Sequence, residues 1–108
     1  MRPRPQLRAR LTFLTHDQGG FARPKQSGVR PHMKVNDVFT SVYVWGDSED
    51  QIFELGVEYE VGLELLSWKD YRHAIHAGMP LQLNQGSQVV GRGAILAITP
   101  EGQRDAEG

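Results

Sequence analysis

Apolar and polar residues alternate with a period of two along much of this chain. Apolar residues occupy nearly every second position of residues 6–13 and 57–65, with mostly polar residues between them. A strand places alternate side chains on one face, whereas a helix would scatter these positions around its circumference. Residues 38–45 are rich in β-branched and aromatic side chains, which favour a half-buried strand. Residues 89–90 and 94–98 predict either a final pair of strands or one long bent strand.

Turn-forming residues separate these predicted strands. Residues 17–20, 46–50 and 84–87 contain Gly, Asn, Asp or Ser, which tolerate positive φ or bond their own backbone. Gly91 and Gly93 interrupt an apolar strand pattern, where glycine marks a bulge, a bend or a close backbone approach. Barrels need such corners in order to close. The sequence therefore predicts an all-β fold, a closed antiparallel barrel of six or seven strands without a substantial helix.

The length of 108 residues fits one domain, which we place at residues 6–98. We expect residues 1–5 to form a flexible basic arm, and the polar residues 99–108 to form a disordered tail. Cysteine is absent, so the chain has neither a disulfide framework nor a thiolate zinc site. No apolar run approaches the roughly 20 residues of a membrane helix. These features predict a cytoplasmic protein that does not associate with a membrane.

The net charge of −1 conceals an asymmetry along the chain. Residues 1–34 hold eight of the twelve Lys and Arg residues but only one acidic residue, Asp17, whereas the remainder holds four basic and twelve acidic residues. Two interpretations remain open. The basic half forms a surface for an acidic partner, or the two halves fold together and most of the charge pairs off.

Three segments carry a more specific signal. They are GGFARPKQSGVRPHMKVNDV (residues 19–38), RHAIHAGMPLQL (72–83) and LQLNQGSQVVGRGAILAI (81–98). Their Gly-Gly turn, Gly-x-Arg-Pro motif and Gly-x-x-x-x-Gly-x-Gly hairpin resemble the third, C-terminal domain of bacterial translation elongation factor Tu. The resemblance covers about residues 6–98 and implies a small β-barrel. In that family the barrel is the last part of a longer GTPase, whereas here we expect it to act without the GTPase domain.

No phosphate-binding loop of the form Gly-x-x-x-x-Gly-Lys-Ser/Thr occurs in the sequence, so we expect neither GTPase activity nor a bound nucleotide or other cofactor. His73 and His76 are three residues apart, a spacing that a strand sends to opposite faces. No nearby Cys or acidic residue completes a convincing ligand set for a metal. The serines lack the context of a nucleophile elbow. The sequence therefore predicts neither a metal site nor an enzyme.

The resemblance implies two kinds of binding site. The family's contacts to the T-stem of transfer RNA fall here on Arg30, His32, Thr40, Gln85 and Gly86. Their side chains and the glycine amide are able to contact ribose and phosphate oxygens, as in the recognition of RNA stems by shape and backbone.

The Gly-Gly turn of the family lies at the contact with its GTPase domain, which implies a protein-docking surface at Gly19, Gly20 and Phe21. We expect Phe21 to have no role in the core. Trp68 lies at a predicted turn, where an exposed aromatic residue would also suit a protein partner. A second interpretation of Trp45, Trp68, Tyr43 and Tyr71 is a base-stacking platform, although aromatic residues are common in barrel cores.

The sequence thus leads to two functional hypotheses. The first is a non-catalytic module that engages a protein of, or around, the translation machinery as a regulator, decoy or immunity factor. The second is an RNA-binding module that contacts the backbone of a transfer RNA stem.

Overall fold

The computed structural model describes residues 3–107. Eight strands and two α-helices follow one another along the chain, with a short 3₁₀ turn after β1 and another after α1. The elements are β1 (Leu7–Phe13), β2 (Lys25–Gln26), β3 (His32–Val35), β4 (Val38–Trp45), β5 (Ile52–Phe53), β6 (Glu58–Leu65), α1 (Trp68–Tyr71), β7 (Pro80–Gln85), β8 (Gln88–Ile98) and α2 (Pro100–Glu107).

Six of these strands form a closed antiparallel barrel in the order β1-β6-β4-β3-β7-β8, and β8 returns to pair with β1. The remaining strands, β2 and β5, form a separate two-stranded sheet. The all-β barrel fold expected from the sequence is therefore confirmed, with six strands. The late glycine-rich segment is a single strand of 11 residues, and its pairing with β7 shifts register between Leu83 and Asn84.

The barrel core follows the period of two along each strand. All four apolar residues of β1 at alternate positions are buried, as the sequence predicts. In β6 the same pattern buries Val61, Leu63 and Leu65, but Val57 lies before the strand begins and is exposed. Full burial of one such aliphatic side chain contributes about 1.5–3 kcal/mol, so this repeated pattern is the main source of stability.

The C-terminal segment, where we expected a disordered tail, forms a helix at Pro100–Glu107. Thr99 is the N-cap of this helix. Its backbone carbonyl accepts a hydrogen bond from the Gln103 amide at 3.0 Å, and its hydroxyl accepts one from the Gly102 amide at 3.1 Å. Proline at the first helical position, Pro100, also favours this start. The carbonyl of Gly102 accepts a hydrogen bond from Trp68 Nε1 at 3.0 Å. Polar composition alone gave no sign of these tertiary contacts.

The chain before β1, which we expected to form a flexible arm, lies against the barrel end at Arg4 and Pro5; Met1 and Arg2 lie outside the described residues. The amide of Arg4 donates to Glu64 Oε1 at 3.1 Å, and its guanidinium pairs with Glu101. The carbonyl of Pro5 accepts from the Thr99 hydroxyl at 2.8 Å. The two ends of the described chain are therefore fastened to each other. No helix within residues 3–107 is long and apolar enough to cross a membrane.

Candidate functional site

The acidic residues of the six barrel strands all lie on β6, at Glu58, Glu60 and Glu64. Glu60 forms a salt bridge with Arg8 of the neighbouring β1 at 2.8 Å. Glu64 Oε1 accepts from Trp45 Nε1 at 2.8 Å. Two of the three carboxylates thus have local partners at this side of the barrel.

Strand β7 is three strands away from β6 in either direction around the barrel, so it lies on the opposite side. Its neighbours β3 and β8 supply outward-pointing, exposed cationic or ionisable side chains at His32, Lys34 and Arg92. The sequence has no Asp or Glu in residues 18–36 or 71–100, and the barrel brings these two stretches side by side. We refer to this surface as the β7 face, defined by His32, Lys34, Gln82, Asn84, Gln85 and Arg92.

Three of the five residues expected to contact RNA come together at one end of the β7 face. His32 pairs with Asn84, which places it one residue along the strand from Gln85. Gly86 follows in the turn between β7 and β8 with a φ of +61°, a left-handed conformation that favours glycine. His32, Gln85 and Gly86 are all exposed. Their side chains and backbone are therefore accessible to a ligand on the barrel surface.

Arg30 lies two residues before His32 and is also exposed. Its guanidinium lies over the ring of Tyr43 at 5.8 Å from the centroid, and Tyr43 stacks on Trp45 with centroids 5.4 Å apart. This cation–π contact holds the charge at the border of the β7 face, toward β4. The aromatic rings of Tyr43 and Trp45 are half-buried in that packing.

Thr40 does not join the other four residues. It is opposite Met33 in the β3–β4 pairing, and only 6% of its surface is exposed. Thr40 shares the phase of the buried Val42 and Val44, so its side chain points into the barrel. The expectation that Thr40 contacts RNA conflicts with this burial.

Sequence reasoning did not identify Lys34, Asn84 or Arg92 as site residues. Asn84 is 4% exposed, and its Oδ1 accepts from Gln82 Nε2 at 2.9 Å, which fixes two amides of the β7 face relative to each other. Lys34 and Arg92 are far apart in sequence, and only the order of strands brings them to one surface. The absence of acidic residues from both flanking stretches was the available signal.

The Gly-Gly turn is held by local contacts and by the β7–β8 hairpin. Gly20 is buried, and a Cβ there would lie 2.1 Å from the Leu14 carbonyl oxygen, so the position requires glycine. Gly19 is exposed, with a φ of +88°. The side-chain amide of Gln88 donates to the carbonyls of both glycines, at 3.1 Å for Gly20. Residues 19–24 therefore form a loop attached to one end of the β7 face.

Phe21 packs against the core, which contradicts the expectation that it has no core role. Its ring lies 5.9 Å from that of the fully buried Phe13, and Lys25 Nζ lies 4.4 Å from its centroid on the outer side. Phe21 is half-buried in this arrangement. Much of the ring is therefore buried by packing against the core and is not accessible to a protein partner.

The expectation of an exposed Trp68 is also wrong. Its side chain is 4% exposed, because helix α2 covers it and accepts its indole hydrogen bond. Leu66, two residues earlier, is 53% exposed instead. The residues expected to form a turn form the short helix α1, and the local sequence did not show that α2 would pack over it.

The histidines outside the β7 face do not form a cluster with acidic residues. His73 and His76 are exposed, and His76 Nδ1 lies 3.0 Å from the Ala77 carbonyl oxygen. Among residues 3–107 no group of three His, Cys, Asp or Glu side chains is arranged to hold a metal ion.

No protein-family model matches this chain. The relationship to the third domain of elongation factor Tu therefore stays a prediction from the motifs of the sequence.

Proposed function

We propose that this chain is a non-catalytic RNA-binding module that holds the sugar–phosphate backbone of an RNA stem on the β7 face. The observation that carries the proposal is the separation of charge around the barrel. Carboxylates lie only on β6 among the barrel strands, and the opposite surface presents Lys34, Arg92 and His32. A polyanion is attracted to the second surface, where the barrel strands carry no carboxylate.

The chemistry of the β7 face fits a backbone rather than a base sequence. Lysine and arginine donate to phosphate oxygens, and the amides of Gln82 and Gln85 donate to or accept from ribose hydroxyls. Gly86 has no side chain and nothing lies within 4 Å of its ideal Cβ position, so a ribose is able to approach its backbone. An RNA stem displays such hydroxyls along its wide, shallow minor groove.

The resemblance to elongation factor Tu supports a more specific ligand. His32, Gln85 and Gly86 match the family's contacts to a transfer RNA T-stem, and they are the three matched residues that lie together and exposed. We therefore propose a transfer RNA stem as the ligand, bound in the cytoplasm. About three cationic contacts predict weak binding with a slope of log K against log salt near −3 or shallower.

The test is a titration of a fluorescently labelled RNA hairpin, followed by anisotropy at several salt concentrations. The double variant His32→Ala/Gln85→Ala should weaken binding, and Arg92→Gln should also reduce the salt slope by about 1. Arg8→Gln is the matched control, because Arg8 also points outward from a barrel strand but is paired with Glu60. Binding that is insensitive to salt, or equal loss in Arg8→Gln and Arg92→Gln, contradicts the proposal.

A second candidate is docking of a protein of the translation machinery to the loop of residues 19–24, as a regulator, decoy or immunity factor. The observation in its favour is that Gly19, Ala22, Arg23 and Pro24 are exposed while Gln88 fixes the start of the loop. A pull-down from cell lysate with ribonuclease separates the two candidates. A protein retained after ribonuclease, and lost in Arg23→Glu, would favour docking over RNA binding.

A further inference from the structure

Four outward side chains form a row across four adjacent strands, toward the opposite end of the β7 face from Gly86. Phe39 of β4 pairs directly with Lys34 of β3, and Gln82 of β7 pairs with Arg92 of β8. Strands β3 and β7 are antiparallel and Met33 pairs with Leu83, so Lys34 lies opposite Gln82 at the next position. We call these four residues the Phe39 row. Strands lie about 4.8 Å apart, so Lys34 and Arg92 are about 10 Å apart along it.

Phe39 differs from the other aromatic residues of the barrel. It is 47% exposed, and it is the only aromatic residue among the exposed large apolar side chains of the described chain. Tyr43 and Trp45, on the same outer face of β4, stack on each other and are half-buried. Phe39 therefore presents its ring to the solvent beside a lysine, whereas Tyr43 and Trp45 do not.

The charge along the Phe39 row is positive and not neutralised by neighbouring side chains. Neither Lys34 nor Arg92 forms an ion pair within the described part of the chain. The nearest acidic residue in sequence is Asp37, which lies in the turn between β3 and β4. A phosphate chain is able to follow the row from Arg92 to Lys34, with a base at the Phe39 end.

We infer that the Phe39 row binds an unpaired nucleotide segment next to the RNA stem, with one base stacked on Phe39 and its phosphates at Lys34 and Arg92. The inference rests on the proposed function, since it assumes that the ligand is RNA. The bases inside a stem are stacked on both sides and offer no free face, so an unpaired base is better able to stack on the ring. A single-stranded ligand explains an exposed aromatic residue at the end of a row that carries two cations better than a stem does.

The experiment compares three RNA ligands by fluorescence anisotropy: a blunt hairpin, the same hairpin with a three-nucleotide overhang, and that hairpin with an abasic overhang. The abasic overhang keeps the phosphates and removes the bases, so it isolates stacking. We expect the overhang with bases to bind about fivefold more tightly than the abasic one. Phe39→Ala should reduce this ratio to about one, and Phe39→Trp should keep it near its original value. Lys34→Gln should weaken binding of both overhang ligands to the same extent.

Leu66→Ala is the matched control, because Leu66 is another exposed large apolar residue that lies outside the row. It should leave the ratio unchanged. Equal binding of the two overhangs, or a ratio that survives Phe39→Ala, would overturn the inference even while the blunt hairpin still binds. If the blunt hairpin does not bind but the overhang binds in a Phe39-dependent way, the stem proposal fails and the row remains supported. If none of the three RNAs binds, both are overturned.

Discussion

The substitution Gly102→Ala tests whether the C-terminal helix packs tightly against the barrel. In an exposed helix this substitution stabilises by about 1 kcal/mol, because glycine is a poor helix former. Here an added Cβ would lie 2.5 Å from the backbone oxygen of Gln6 and 3.0 Å from Ile98 Cγ2. That oxygen also accepts the Thr99 amide at 2.8 Å, so it is not free to move. The close approach should therefore outweigh the helix propensity.

The magnitude follows from the two ways of relieving the contact. Overpacking costs about 1–3 kcal/mol if the helix stays in place. If the helix moves away, the bond from Trp68 Nε1 to the Gly102 carbonyl is lost, which costs about 0.5–1.5 kcal/mol, together with some burial of Trp68. After subtraction of the gain in helix propensity we expect a net loss of up to about 2 kcal/mol. That corresponds to roughly 4–8 °C in Tm per kcal/mol for a small domain.

The assay combines thermal unfolding with tryptophan emission in a Trp45→Phe background, where Trp68 is the remaining tryptophan of the two. Gly102→Ala should lower Tm and shift the Trp68 emission to longer wavelength. Gln103→Ala is the control, because Gln103 is an exposed position of the same helix. A higher Tm for Gly102→Ala with unchanged emission would refute the packing argument and leave propensity as the dominant effect.

Three further predictions concern the helix and the Phe39 row. Hydrogen bonds from Arg104 and Arg4 hold the pKa of Glu101 below its ordinary value. Its contribution to stability is therefore present above that ordinary value and is lost as the pH falls through the lowered pKa, and Glu101→Gln should flatten this part of a Tm–pH profile. Trp68→Phe removes the indole donor and should cost about 1 kcal/mol in urea unfolding. Asp37→Asn removes the nearest acidic residue and should strengthen binding of the hairpin with an overhang, measured by anisotropy; weaker binding would contradict the charge argument.

The barrel was predictable because its signals are local. Alternation of apolar residues fixes which face of β1 is buried, and glycine, asparagine and aspartate mark the turns. The inward phase of Thr40 was also readable, since Val42 and Val44 continue the same alternation. The exposed positions of His32, Gln85 and Gly86 agree with the site expected from the motifs.

Long-range contacts account for what the sequence did not show. Helix α2 depends on Trp68, 34 residues earlier, and its polar sequence gives no hydrophobic pattern that points to that residue. The β7 face depends on strand order, because β8 follows β7 in a tight hairpin but β3 becomes a neighbour of β7 only through a long-range pairing. Phe39 was part of a predicted strand, and the structure shows that its exposed ring lies beside Lys34 and in register with Arg92.

The separation of charge around the barrel also determines how strongly the net charge of the molecule influences the approach of a charged partner. The molecule measures 42 × 31 × 22 Å, so even its shortest dimension exceeds the screening length of about 8 Å at physiological salt. A polyanion approaching β7 is therefore largely screened from the carboxylates of β6 on the far side. For such a polyanion the charge of the nearest strands matters more than the net charge of −1.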